Sequence, residues 1–161
     1  MAAAERDQDR PVGVRGSTEE GPALRDATAA AARADADETE AVATRDRLRD
    51  APLPVLEADE EIAGLLAQGE IVHGLRRSAI LRAPGDDRAL GYGGTLYVTS
   101  HRLIHLGQVT VNVPLSNILE TELAGERLLI TLREGEGISL DVDRPRVLRV
   151  EIGAALREAR R

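Results

Sequence analysis

The sequence predicts a mainly β domain, a small antiparallel barrel or sandwich closed by one C-terminal helix. Apolar and polar residues alternate with period two in short runs between Ile71 and Val142. Turn-forming residues punctuate those runs: Pro84 to Arg88, Ser100, Gly125-Glu126, and Glu134 to Gly137. Beyond Pro145 the period changes. Leu148, Ile152, Ala155, Leu156 and Ala159 then follow the spacing of one buried helical face.

Taken in order, residues 1–21 mix charge with Gly and Pro and hold almost no large apolar side chains. Such a stretch cannot offset the entropy of ordering, so disorder is expected. Residues 23–50 are rich in Ala, Arg, Asp and Glu and favour a helix. Between Leu24 and Leu48 the only larger apolar side chain is Val42, so that helix is expected to be marginal and to lack a core to dock on. Ala51-Pro52-Leu53-Pro54 then ends it as a stiff hinge. Residues 1–58 are thus expected to be a disordered or marginally helical acidic arm, and residues 59–161 the folded domain.

The domain opens with a short helix. Asp59 caps it, Ile62, Leu65 and Leu66 form its apolar stripe, and Gly69 stops it. The strands follow: Ile71 to Leu81, Gly91 to Thr99 with Leu96 and Val98 on one face, and Arg102 to Leu106. After these come Val109-Val111-Val113, Leu119-Thr121-Leu123, Leu128-Ile130-Leu132 and Ile138-Leu140-Val142. Pro145 suits the first turn of the closing helix, which can cover an open end of the β-structure.

Composition removes several functional classes. There is no cysteine, hence no disulfide framework, thiolate nucleophile or Cys-ligated metal. The opening MAAAERDQDR lacks both the cationic start and the apolar run of a secretory leader. No stretch approaches the roughly 18 apolar residues of a membrane span. A cytoplasmic protein, peripheral at most to the inner face of a membrane, is expected. All 21 basic residues are Arg, and the formal net charge is −7. Residues 1–58 contribute −5 and residues 59–161 contribute −2. Neither part is a basic body suited to phosphate backbones, and Tyr92 and Tyr97 are the only aromatics. Nucleic acid is not an expected partner.

Two segments carry a family resemblance. Gly94-Thr-Leu-Tyr-Val-Thr-Ser-His-Arg-Leu-Ile104 and Val113-Pro-Leu-Ser-Asn-Ile118 resemble the hairpin and strand exit of bacterial pleckstrin-homology (PH)-like and GRAM-like domains. Leu66 to Val72 is similar to the stretch such domains have before their first strand. The resemblance covers about residues 60–160. It implies a PH-like, partly open seven-stranded antiparallel barrel of two orthogonal sheets capped by a C-terminal α-helix. It also implies lipid-headgroup or protein binding without catalysis. Thr99 and Arg102 are then structural residues of the hairpin. The closing helix lacks the Trp that many eukaryotic PH domains carry, which favours the bacterial or GRAM-like branch.

Candidate chemistry is sparse. Arg76, Arg82 and Arg88 gather around the first strand-to-strand loop, together with Arg77, and form the candidate lipid or anion site. Asp86 and Asp87 offset their charge, and Arg76 and Arg77 point to opposite faces of a strand. His101 and His105 have a metal-like spacing, but on a strand four residues span about 13 Å, too wide for one ion. Gly91, Gly93 and Gly94 lead into a strand rather than a helix, so they form no phosphate cradle. Glu120 and Glu122 alternate with Leu119 and Leu123 and are read as solvent-side acids. No catalytic residue, cofactor or metal is assigned.

The expected function is a non-catalytic binding module for a protein partner or a second copy. The alternative is a peripheral sensor of anionic lipid headgroups that uses the Arg loop. A small-molecule carrier or enzyme ranks third.

Overall fold

The computed structural model describes residues 20–83 and 89–161. Chain contacts divide the protein into Met1–Ala32 and Arg33–Arg161. Helix α1 (Glu20–Asp50) spans the division. Pro22 to Ala32 are exposed, Leu24 among them, and Thr28 Oγ1 donates to the Leu24 carbonyl at 2.8 Å.

The second unit holds seven antiparallel strands: β1 (Val72–Arg82), β2 (Ala89–Thr99), β3 (Arg102–Leu106), β4 (Thr110–Pro114), β5 (Ile118–Ala124), β6 (Arg127–Leu132) and β7 (Ile138–Asp141). Their order in the sheet is β4-β3-β2-β1-β7-β6-β5. The two end strands, β4 and β5, are consecutive in sequence and joined by a single 3-10 turn, Leu115–Asn117. Helix α3 (Pro145–Ala159) caps the sheet.

The period-two pattern produces the core. Leu81, Leu96, Val98, Leu103, Ile118, Leu128, Ile130 and Leu140 are all at most 1% exposed, as are Leu148 and Ile152 of α3. Apolar burial of this extent is the main favourable term in the fold. β2 is buried on both faces. Tyr97 points away from Leu96 and Val98 and joins Ile62, Val72 and Ile104 in a second cluster. Ile62 comes from α2 (Glu60–Ala63), whose N-cap is Asp59; its Oδ1 accepts from the Ile62 amide at 3.0 Å. That helix is shorter than expected, because Gly64 rather than Gly69 ends it.

β5 departs from strict alternation. Ile118 pairs with Leu132, yet Glu120 pairs with Thr131, so Leu119 is the extra residue of a bulge. It is 51% exposed instead of lying inward with Thr121 and Leu123. Val109, expected on a half-buried strand, lies before β4 and is also exposed.

The largest correction concerns residues 33–50. They were expected to have nothing to dock on, yet Asp37, Ala41, Thr44 and Leu48 are buried, at a helical spacing of four, three and four. Ala41 and Leu48 belong to the main core together with Val147, Val150 and Ala154 of α3. These three form a second apolar stripe on α3, beside the Leu148-Ile152-Ala155 stripe. Asp37 meets Arg146 and Val147, Arg45 shares a groove with Val150, and Leu48 shares a hollow with Ala154. Residues 37–48 and α3 therefore run side by side in the same direction. The Ala51–Pro54 segment ends α1 as expected but is not a free hinge. Leu53 is buried, its amide donates to Glu158 Oε1 at 3.2 Å, and Leu56 bridges to Val72.

Candidate functional site

The hairpin residues Thr99 and Arg102 converge on Glu70. Gly69, at φ +79°, turns the chain so that the Glu70 side chain lies fully buried under the β2–β3 turn. Arg102 Nε and Nη2 reach Glu70 Oε1 and Oε2 at 2.9 and 3.1 Å, a bidentate pair. Arg102 Nη2 also donates to the Leu65 carbonyl at 2.6 Å, and Nη1 to Asn112 Oδ1 at 3.0 Å. Thr99 Oγ1 lies 2.6 Å from Glu70 Oε1 and accepts from the Arg102 amide at 3.0 Å. Burial by itself raises the Glu70 pKa. Hydrogen bonds from Arg102, Thr99 and the Ala67 amide outweigh it and hold the carboxyl down at about 2. This clasp ties the segment before β1 to β2 and β3, and it uses up both hairpin side chains.

Two of the three arginines of the candidate anion loop are also engaged internally. Arg76 is 6% exposed; its Nε donates to the Asp143 carbonyl at 3.1 Å and its Nη2 reaches Glu151 on α3 at 3.3 Å. Arg82 Nε binds Asp141 Oδ2 at 2.7 Å, while Arg127 Nε takes Asp141 Oδ1 at 2.9 Å. Burial works to raise the Asp141 pKa, but this double pairing lowers it overall. Arg88 lies outside the described residues.

The histidines have backbone partners. His105 Nε2 is 2.9 Å from the Ala79 carbonyl oxygen, and His73 Nδ1 is 2.8 Å from that of Pro54. His101 Nδ1 lies 2.8 Å from Ser100 Oγ, which in turn accepts from the Ile71 amide. Among the described residues no group of three His, Cys, Asp or Glu side chains could hold a metal ion.

One basic surface is left unspent. Arg45 of α1, Thr121 of β5 and Arg149, Val150, Gly153 and Arg157 of α3 line a groove of about 230 Å³. Arg149, Gly153 and Arg157 fall at i, i+4 and i+8, one stripe of the helix. The three arginines are exposed and form no ion pair among the described residues, and the groove wall contains no carboxylate. A neighbouring hollow of about 250 Å³ at the ends of α1 and α3 shares Arg157 with the groove and differs in kind, because Asp50 and Glu158 sit among its arginines. The groove could not be read from the sequence, since Arg45 is distant in the chain from its partners. The Arg149-x3-Gly153-x3-Arg157 spacing was the one local signal.

No family model matches the chain, and no curated protein matches it. Among solved structures it is similar to the Vps36 N-terminal PH domain. That match has TM-score 0.48 and 16% identity, over 59% of this chain and 83% of the other. It is also similar to the C-terminal domain of an unknown protein from Leishmania infantum, with TM-score 0.41 and 13% identity over 62% and 91% of the two chains. Seven antiparallel strands capped by a C-terminal helix agree with the strand and helix count expected from the sequence. Among the described residues no helix is long and apolar enough to cross a membrane.

Proposed function

We propose that this chain is a non-catalytic module of the bacterial PH-like or GRAM-like kind. It binds a protein partner through the face formed by α1, β5 and α3. The observation that carries this reading is the gathering of Arg45, Arg149 and Arg157 around one groove without a carboxylate. Like charges held together at a surface cost free energy unless something anionic joins them.

The strand edges suit a partner less well. Glu120 and Glu122 are exposed on the β5 edge, so a second copy pairing there would bring like charges together. The β4 edge exposes Thr110 and Asn112 and ends in Pro114, which has no amide hydrogen to offer. Lipid sensing through the first loop is weakened by the internal pairing of Arg76 and Arg82.

Immobilised full-length chain and its Arg45→Gln/Arg149→Gln/Arg157→Gln variant, each presented with the same cell extract, test the reading. A set of proteins held by the parent and lost by the variant is expected. An identical set on both, or pelleting of the parent with anionic vesicles at physiological salt, overturns it.

A further inference from the structure

The geometry points to a phosphoryl group on the partner protein as the ligand of the Arg45–Arg149–Arg157 groove. This rests on the protein-binding reading above and specifies its chemistry. Three arginines, each with five donors in a planar fork, line one groove whose lining contains no carboxylate, although Arg157 also borders the hollow that holds Asp50 and Glu158. A single carboxylate is satisfied by one bidentate arginine. A phosphorylated side chain carries close to two negative charges and three acceptor oxygens, which matches a three-arginine cradle. Thr121 lines the same groove, and its hydroxyl makes no hydrogen bond among the described residues. The groove is smaller than the roughly 300–1,000 Å³ of pockets that enclose whole small molecules, so it suits one group carried by a larger partner.

Gly153 is an independent observation. It sits inside α3 on the groove floor, between Arg149 and Arg157. Glycine within a helix is less favourable than alanine. The fold does not demand it here, because an added Cβ would meet only Arg157 Nη1, at 3.7 Å, an ordinary contact. The missing side chain leaves open the space in which a ligand would sit between the two arginines.

The test uses the full chain and fluorescent peptide pools, one with a central phosphoserine in random flanks and one with serine. Phosphatidylcholine vesicles doped with phosphatidylinositol phosphate form the third arm. The phosphoserine pool alone is expected to raise anisotropy. Arg149→Gln/Arg157→Gln should weaken that binding about tenfold or more, the scale of losing charge-assisted hydrogen bonds. Gly153→Ala should weaken it too while raising the thermal midpoint, a combination that a purely structural glycine would not give. Equal binding of both pools, binding to vesicles alone, or unchanged peptide affinity in Gly153→Ala overturns the inference. Phosphatase treatment of the extract separates the two readings. Capture that survives phosphatase but is lost with the triple variant removes the phosphoryl ligand and keeps the protein-binding face. Capture indifferent to the triple variant removes the face itself.

Discussion

The carboxylate of Asp37 caps a helix to which it does not belong, with Oδ2 accepting from the Arg146 amide at 2.8 Å. Its Oδ1 accepts from the Val147 amide at 3.2 Å, and Oδ2 is also 3.3 Å from the Arg146 guanidinium. The position before α3 is held by Arg144 at φ 50°, which offers no capping side chain. Free amides at a helix start need acceptors, and a carboxylate there also meets the positive end of the helix dipole. Arg146, a cation at that same end, is compensated by Asp37 and by Glu126 at 2.9 Å.

Asp37→Ala should therefore cost about 1–2 kcal/mol, the usual scale of a lost N-cap. Urea unfolding followed by circular dichroism measures it. Asp37→Asn should lie between parent and Asp37→Ala, since its one remaining carbonyl oxygen still accepts.

Truncations should locate where the folded unit begins. Removing residues 1–32 should leave the unfolding midpoint unchanged, because among the described residues there the only side-chain hydrogen bond is local, Thr28 to Leu24. Removing residues 1–50 should lower it, since Asp37, Ala41 and Leu48 go with them. Equal midpoints for the two truncations would count against the docking of residues 33–50.

The Glu70 clasp predicts an acid response. A carboxyl whose pKa is depressed in the folded state adds stability that is complete above its unfolded value and disappears as pH falls through the folded one. For Glu70 that window runs from 4.5 down to about 2. Glu70→Gln should cost about 3 kcal/mol at neutral pH, as expected when Arg102 loses a buried partner. Across the acid window the parent's urea midpoint should fall towards that of Glu70→Gln; parallel curves would refute the assignment.

The Arg76–Glu151 pair joins β1 to α3. Arg76→Ala should cost about 3 kcal/mol by leaving Glu151 with a buried, unanswered charge. Glu151 Oε2 already has no hydrogen-bond partner, only the 3.3 Å ion contact with Arg76. Arg76→Met combined with Glu151→Leu should recover most of the loss. Thermal melts of the two variants beside the parent decide this.

The strands and the closing helix were legible because their large side chains repeat at the period of the element. Leu96, Val98, Leu128, Ile130, Leu140, Leu148 and Ile152 all face the core as their spacing requires. The docking of α1 was not legible, because the side chains it buries are Asp37, Ala41, Thr44 and Leu48, mostly small or polar. Hydropathy scores such a face as solvent-facing, although short side chains are what let two helices lie close. The unused clue was on the other helix, where Val147, Val150 and Ala154 make a second stripe that the sheet alone would not cover. Leu119 was misplaced because a bulge breaks alternation without leaving a mark in composition. The clasp was partly legible, with Thr99 and Arg102 read as structural and Glu70 overlooked. The arginine groove draws on three elements, and no local window contains them.

The approach of Gly94 to His105 links two positions on neighbouring strands. A Cβ on Gly94 would collide with His105 Cε1 and lie 2.7 Å from the Leu106 carbonyl oxygen. The imidazole cannot swing clear without surrendering its bond to Ala79, so the backbone of β2 is bare where the ring crosses it. In any descendant of this chain the two sites should mutate jointly: a methyl group at 94 becomes tolerable only after the ring at 105 has been exchanged for something slimmer and the strands have eased apart.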